Sequence, residues 1–196
     1  MTGNSINAAL NLTVATDADV PEVVSLINLA FRSRGEAAAW STEEEFIGGT
    51  RITDDLLRED MAAKPRATLL LWRQADNELL GCVWLEPQHN GVWYLGMLAI
   101  PPRDQNSGLG RRLLEAAENW AHAKGATEIK MSVVNLRTRL IEWYQRRGYR
   151  LTDETKPFPY GDNRFGIPKR DDLQFVILRK VLASPNQGPT ALTQHV

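Results

Sequence analysis

The run Gln105-Asn106-Ser107-Gly108-Leu109-Gly110 has the residue types and spacing that hold a phosphate. It stands between an apolar run that ends at Ile100 and a helix-like run from Leu109 to Lys124. Where a strand turns into a helix through glycines, the unpaired N–H groups of the first helical turn point the same way. The helix dipole there favours negative charge. Gly108 and Gly110 carry no Cβ and let a ligand approach the backbone, and Arg111 and Arg112 follow directly with positive charge. Two nucleotide patterns do not fit. A Walker loop needs Lys and Ser/Thr after its last glycine, where Arg111 and Arg112 stand, and a dinucleotide fingerprint needs glycine at the position held by Leu113. A tight strand-to-helix turn with two convenient glycines is the plain alternative.

Other residues that could do chemistry are scattered. Glu43, Glu44 and Glu45 come in series before Gly48-Gly49, with Arg51 just beyond. A carboxylate there would attract a protonated amine, and the planar fork of Arg51 would suit an anionic group on the same molecule. Successive helical residues point about 100° apart, so at most one or two of these glutamates share a face. Glu45 and Arg51 are the substrate-side candidates, and a solvated charge run is the plain reading. The one cysteine, Cys82, lies in an apolar run and reads as a small buried hydrophobe. It allows no disulfide within the chain, which fits a cytoplasmic protein. His89, His122 and His195 lie far apart, and nothing has metal-ligand spacing.

The elements that must position these residues follow from periodicity and punctuation. The 196 residues are 43% hydrophobic and 24% charged, ordinary for one well-cored globular domain. A formal charge of −1 gives no reason to expect nucleic acid or an anionic membrane as partner. The first eleven residues are expected to be a flexible N-terminus rather than a signal peptide, the domain to run over 12–183, and 184–196 to be a disordered tail. No run reaches the length of a membrane span. Leu12 to Ala15 reads as a strand, and Asp19-Val-Pro-Glu22 as a helix start with an Asp cap. Val20, Val23, Val24, Ile27 and Phe31 share that helix's face. Ser41-Thr-Glu-Glu44 predicts a short helix stopped at Gly48-Gly49, and a second is expected from Asp54 to Ala63. Ala67–Trp72, Leu79–Leu85 and Val92–Ile100 form a three-stranded meander ended by Pro101-Pro102. After the helix that follows the glycine loop, Ile129, Met131 and Val133 alternate, so Glu128–Val134 is a strand, parallel to Val92–Ile100 by the crossover rule. A helix ending at Gly148, a short strand Tyr149–Thr152, an irregular stretch Lys156–Asp171 and a last strand Leu173–Leu182 complete the order.

This order, with Q-x-x-G-x-G after the meander and Trp143-Tyr144-x-x-x-Gly148-Tyr149 near the end, resembles the GNAT superfamily of N-acetyltransferases from about Leu12 to Leu182. The resemblance implies an α/β (α+β) GNAT fold, a mixed central sheet with a splayed pair of parallel strands flanked by helices. It implies acetyl-coenzyme A as cofactor and an amine as acceptor, by direct attack in a ternary complex. The loop of Gln105, Asn106, Ser107, Gly108, Leu109, Gly110 and Arg111 would then take the pyrophosphate. The strand edge of Leu98, Ala99 and Ile100 would pair with the pantetheine, and a backbone N–H near Leu98 would hold the oxyanion. Asn135 or Arg137 would lie beside the pantetheine. In many family members an Asn precedes the Tyr by seven residues, whereas here Arg137 holds that place and Asn135 stands nine before.

Tyr144 occupies the position from which the family protonates the departing thiolate. The general base is fixed by no motif: Glu86 is the first candidate, Glu45 another, and a water relay to the backbone a third. The walls of the acceptor pocket would be 33–53 and 156–171. The expected partner is a small polar or amphoteric amine, for a monomer or homodimer. Acetylation of a protein N-terminus or lysine, and non-catalytic acyl-coenzyme A binding, are the alternatives.

Overall fold

The computed structural model describes residues 10–35 and 38–182. The flexible N-terminus and the C-terminal tail expected from the sequence lie almost wholly outside the described residues. In chain order the elements are β1 (Leu12–Val14), α1 (Val20–Arg32), β2 (Ile47–Gly48), α2 (Asp54–Ala63), β3 (Thr68–Arg73), β4 (Leu79–Pro87), β5 (Val92–Ala99), α3 (Leu109–Ala123), β6 (Glu128–Val134), α4 (Thr138–Gln145), β7 (Arg150–Pro157), β8 (Ile167–Pro168) and β9 (Gln174–Val181). One seven-stranded sheet runs β1-β3-β4-β5-β6-β9-β7, and β2 pairs with β8 apart from it. Every pairing is antiparallel except β5 with β6.

Alternation along the strands builds two cores. One face carries Val83, Leu85, Trp93, Leu95, Ile129 and Met131, packed against Leu113, Leu114, Ala117 and Ala121 of α3 and Tyr144 of α4. The other carries Leu69, Leu71, Cys82, Trp84 and Ala99 under Val20, Val23, Val24 and Ile27 of α1 and Leu57 of α2. Burying such side chains contributes about 1.5–3 kcal/mol each. The helix ends behave as their sequences say: Gly125 and Gly148 follow α3 and α4 with φ of 93° and 88°.

Three expectations are corrected. No helix forms over Ser41–Gly48; the chain makes turns and then β2, because Glu43 is drawn inward by arginines and Thr42 Oγ1 donates to the carbonyls of Phe31 and Ser33. The strand expected to stop at Thr152 continues to Pro157 along β9. Asp19 precedes α1, but its carboxylate accepts from Thr16 N and Oγ1, each at 2.8 Å, and caps the preceding 3-10 turn instead.

Candidate active site

The sheet is pierced at its parallel pair. β5 and β6 are joined only over Val92↔Glu128, Trp93↔Ile129 and Tyr94↔Lys130. Beyond them β5 stays with β4 and β6 with β9, and the two lips part. A β-bulge accompanies the parting: Trp84 faces Gly96 but Cys82 faces Ala99, so β5 carries one extra residue there. Met97 takes it up with φ of 49°. A bulge bends its strand and re-aims the backbone. Behind the fork lies a cleft of about 730 Å³, lined by Leu95, Gly96, Met97 and Leu98 on one lip and Met131, Ser132, Val133 and Val134 on the other. Side chains from both faces of the sheet reach it.

On the α3 and α4 side the glycine loop forms the wall. Asn106 and Gly108 both stand at positive φ, 65° and 87°, so the chain turns twice and gathers its N–H groups into a concavity. A Cβ built on Gly108 meets nothing within 4 Å, and one on Gly110 meets only Trp143 and Ile100 at 3.7 and 3.8 Å. The protein does not fill the space these glycines leave open, which is room in which a ligand's anionic group could be held. Arg111 and Arg147 also line the cleft. Burial, Arg146 and Arg111 lower the pKa of Arg147, as expected for guanidiniums crowded without enough counter-charge. Arg147 lies 3.6 Å over the Trp143 ring, and its buried Nε has no partner.

Tyr144 enters from α4 with 5% of its surface exposed, its ring edge-on to Trp143 and Tyr149. Burial pushes its phenol up to about 12, against the opposing pull of Arg137. Among the described residues its hydroxyl has no hydrogen-bond partner in the protein, and the residue lines the cleft.

On the α1 and α2 side the wall is charged and aromatic. Glu43 is 6% exposed and bridges two arginines, Arg32 at 2.7 Å and Arg137 at 2.5 Å. Burial alone would raise its pKa, but Arg137, Arg32 and Arg51 hold the carboxyl below its ordinary value. Asp60 pairs with Arg164, and Glu86 with Lys64 at 2.9 Å. Arg51 differs: its guanidinium lies 5.7 Å from the centre of the Phe31 ring and 5.9 Å from that of Phe165, with no ion pair among the described residues. Burial lowers its pKa, and Glu43 partly restores it.

The cleft thus brings together most of the residues singled out from the sequence: Tyr144, Glu86, Leu98, Ile100, Gln105, Asn106, Gly108, Gly110, Arg111, Arg137 and Arg51 all line it. Others are placed elsewhere. Ala99 is buried in the core of the α1 face. Leu109 packs its side chain on the α3 core, and Ser107 braces the loop, its Oγ accepting from Leu109 N at 3.4 Å. Asn135 ties β6 to β9, donating to Asp172 O at 3.0 Å and accepting from Gln174 N at 3.1 Å. Glu45 is exposed and outside the cleft; of the three consecutive glutamates only Glu43 lines it. Gln105 turns its amide to the turn at Trp40 and Ser41, accepting from Trp40 N at 3.0 Å and donating to Ser41 Oγ at 3.3 Å. Arg137 is held by Glu43 and the Ser41 carbonyl. Sequence reasoning passed over Lys64, Arg32 and Tyr94. For Tyr94 a signal existed, a glycine two residues on along the same strand face. Among the described residues no group of three or more His, Cys, Asp or Glu is placed to hold a metal, and no helix is long and apolar enough to cross a membrane.

Comparison with known proteins agrees with this geometry. Residues 24–149 match the model of the acetyltransferase (GNAT) family. Over 140 residues the chain is 26% identical to mycothiol acetyltransferase of Gordonia bronchialis, a match covering 70% of this chain and 42% of that protein. The chain spans less than half the length of the curated relatives it matches. Among solved structures it resembles a ribosomal-protein-alanine N-acetyltransferase from Brucella melitensis (TM-score 0.62, 16% identity, 88% of this chain and all of that one). It also resembles a GNAT family acetyltransferase from Elizabethkingia anophelis with acetyl-CoA bound (TM-score 0.53, 23% identity, 64% and 82%). At these identities both likenesses are of fold.

Proposed function

Because this chain belongs to the GNAT acetyltransferase family, we propose that it moves the acetyl group of acetyl-coenzyme A to the primary amine of a small amphoteric molecule. The observation that carries the acceptor class is Arg51. Every carboxylate lining the cleft is already paired, Glu43 with two arginines, Asp60 with Arg164 and Glu86 with Lys64. The uncommitted charge on the acceptor wall is cationic, in a setting that weakens its hydration and strengthens a fork-to-carboxylate contact. Such a wall disfavours a polycation and favours an amine whose own acid group sits on Arg51.

The residues then divide the work. The concavity from Asn106 to Arg111, with Arg147, holds the phosphates, and the edge of Leu98, Ala99 and Ile100 pairs the pantetheine as an added strand. The donor supplies an activated thioester. A backbone N–H at the bulge near Leu98 meets the oxyanion. Glu86, held by Lys64 at 2.9 Å, takes the proton the amine must lose. Tyr144 gives a hydrogen bond to the sulfur as it departs.

The test is coenzyme A release from acetyl-coenzyme A across alkylamines, polyamines, amino acids and related acids, and peptides. Acid-bearing small amines are expected to lead. Arg51→Met, which keeps the aliphatic stem between its two rings, should raise KM for those acceptors by roughly 10–100-fold. That is the loss of a charged hydrogen bond worth about 1.5–3 kcal/mol. The KM of acetyl-coenzyme A should not move. A best acceptor that is a simple alkylamine indifferent to Arg51 would defeat the amphoteric reading, and a marked preference for peptides would transfer the activity to protein acetylation.

A further inference from the structure

Tyr94 is the last β5 residue still paired with β6, so it stands at the crotch of the fork. Its side chain is on the α1 and α2 face, among the acceptor-wall residues, and lines the cleft. Two residues further along the same strand face is Gly96. A Cβ there would lie 2.9 Å from Cε1 of Tyr94 and 3.4 Å from its hydroxyl oxygen. The ring therefore runs along the strand over Gly96, and the missing side chain is what lets the hydroxyl reach toward the bulge. Without the glycine the phenol would be turned away from Met97 and Leu98, where the acyl group is to be held.

Glu86 alone leaves a gap. In the antiparallel ladder it is the direct partner of Tyr94, and its carboxylate is anchored by Lys64 at 2.9 Å and by Trp84 Nε1 at 3.4 Å. The oxyanion-binding backbone near Leu98 lies about four residues further along, on the order of 13 Å of strand. That is beyond a glutamate's reach. The Tyr94 hydroxyl lies between the two, with Arg51 and Glu86 close enough to act on it and Ser132 facing it from the opposite lip. Burial pushes its phenol up, so at neutral pH it keeps its proton and can accept one hydrogen bond while donating another.

We infer that Tyr94 is a catalytic residue on the amine side, whose hydroxyl oxygen accepts the hydrogen bond of the attacking nitrogen and relays its proton to Glu86. This rests on the acetyl-transfer reading above. As the C–N bond forms, the carbonyl π pair moves to oxygen and nitrogen becomes cationic. Its proton passes to Tyr94 Oη while the phenol's own proton passes, through cleft water, to the Glu86 carboxylate. Tyr94 ends unchanged and Glu86 ends protonated. The oxyanion's pair then re-forms the carbonyl, the C–S bond breaks with its electron pair leaving on sulfur, and Glu86 returns its proton to solvent.

A relay predicts a particular kinetic pattern. Tyr94→Phe and Glu86→Gln should each lower kcat by roughly 10²–10³-fold, within the span of general acid–base groups. Neither should change the KM of acetyl-coenzyme A. The double variant should fall no more than about twofold below the slower single one, because residues acting as one unit are not additive. Gly96→Ala, which leaves the hydroxyl in place chemically but displaces the ring, should lose kcat in the same way. The shift in melting temperature caused by acetyl-coenzyme A certifies folding of each variant. Tyr94→Phe within about twofold of wild type, or losses that multiply in the double variant, would overturn the relay while wild-type coenzyme A release still upholds acetyl transfer. A wild-type protein inert toward every amine would remove both.

Discussion

At Tyr144 burial decides what the side chain can do. The phenol stands at about 12, so it is fully protonated across the neutral range. An ordinary thiol lies near 8.5, so outright transfer from this phenol to a thiolate runs uphill. In the proposed reaction Tyr144 would act as a hydrogen-bond donor while the C–S bond breaks, and the nearby charge of Arg137, which pulls its pKa down, would reduce the cost of moving the proton further. Tyr144→Phe keeps the ring contacts with Trp143 and Tyr149 and should lower kcat by roughly 10²–10⁴-fold with a smaller effect on KM. The sign of the pH dependence follows from the raised value. The donor is intact below pH 10, the ordinary tyrosine value, and is lost only as pH rises through about 12. Wild-type kcat should therefore show no decline owed to Tyr144 below about pH 10. Activity of the Phe variant within about twofold of wild type would assign the residue to packing. The motif around Tyr144 made it legible in the sequence. Which of the three glutamates enters the cleft was not legible, because Glu43, Glu44 and Glu45 differ only in partners, and Arg137 lies 94 residues from Glu43.

At the scale of elements, periodicity carried the main strands and α1, α2, α3 and α4, since alternation and 3.6-residue spacing are local properties. What the sequence hid was decided by contacts across the fold. The bulge in β5 adds one residue within Leu95-Gly96-Met97-Leu98-Ala99-Ile100, a run apolar enough to read as regular strand. The expected helix over 41–48 fails because Glu43 and Glu44 spend their charge on Arg32, Arg137, Arg34 and Lys169 from other elements. The glycine loop was legible, and the structure separates the duties of its glycines. Gly108 stands in the left-handed region, so Gly108→Val should destabilise the free protein by about 1–2 kcal/mol as well as impair cofactor binding. Gly110 lies within α3, and its first added carbon meets neighbours only at ordinary contact distance, 3.7 and 3.8 Å. Gly110→Val should leave the melting temperature of the free protein within a few degrees of wild type and yet weaken binding of acetyl-coenzyme A. Titration calorimetry beside thermal unfolding checks both halves. Undiminished binding in Gly110→Val would mean that the loop backbone does not approach the ligand there.

As a whole the molecule carries a formal charge of −1, yet the α1 and α2 wall of the cleft holds Arg51 without an ion pair among the described residues and the glycine-loop wall gathers Arg111 and Arg147. Cationic groups thus line the cleft where the two faces of the sheet communicate, and an anionic ligand entering it would meet them. The same opening is a mechanical weakness. Two half-sheets, β1-β3-β4-β5 and β6-β9-β7, share a parallel ladder of only three residue pairs. Across the gap they are stapled by Arg137, which reaches Glu43 and the Ser41 carbonyl, while Gln105 ties the cofactor loop to Trp40 and Ser41. A ligand that pairs with the exposed edge of β5 and sits on the α3 terminus bridges both halves, and it binds only the folded chain. Acetyl-coenzyme A at 100 times its Kd should then stabilise the protein by about 2.7 kcal/mol, which for a chain of this size corresponds to a melting-temperature rise of roughly 5–10 °C. Hydrogen exchange should slow most at β5 beyond Tyr94 and β6 beyond Lys130, the amides that face the gap. An unchanged melting temperature at millimolar acetyl-coenzyme A would show that this fork does not hold the cofactor. A rise without protection along the two lips would place the cofactor outside it.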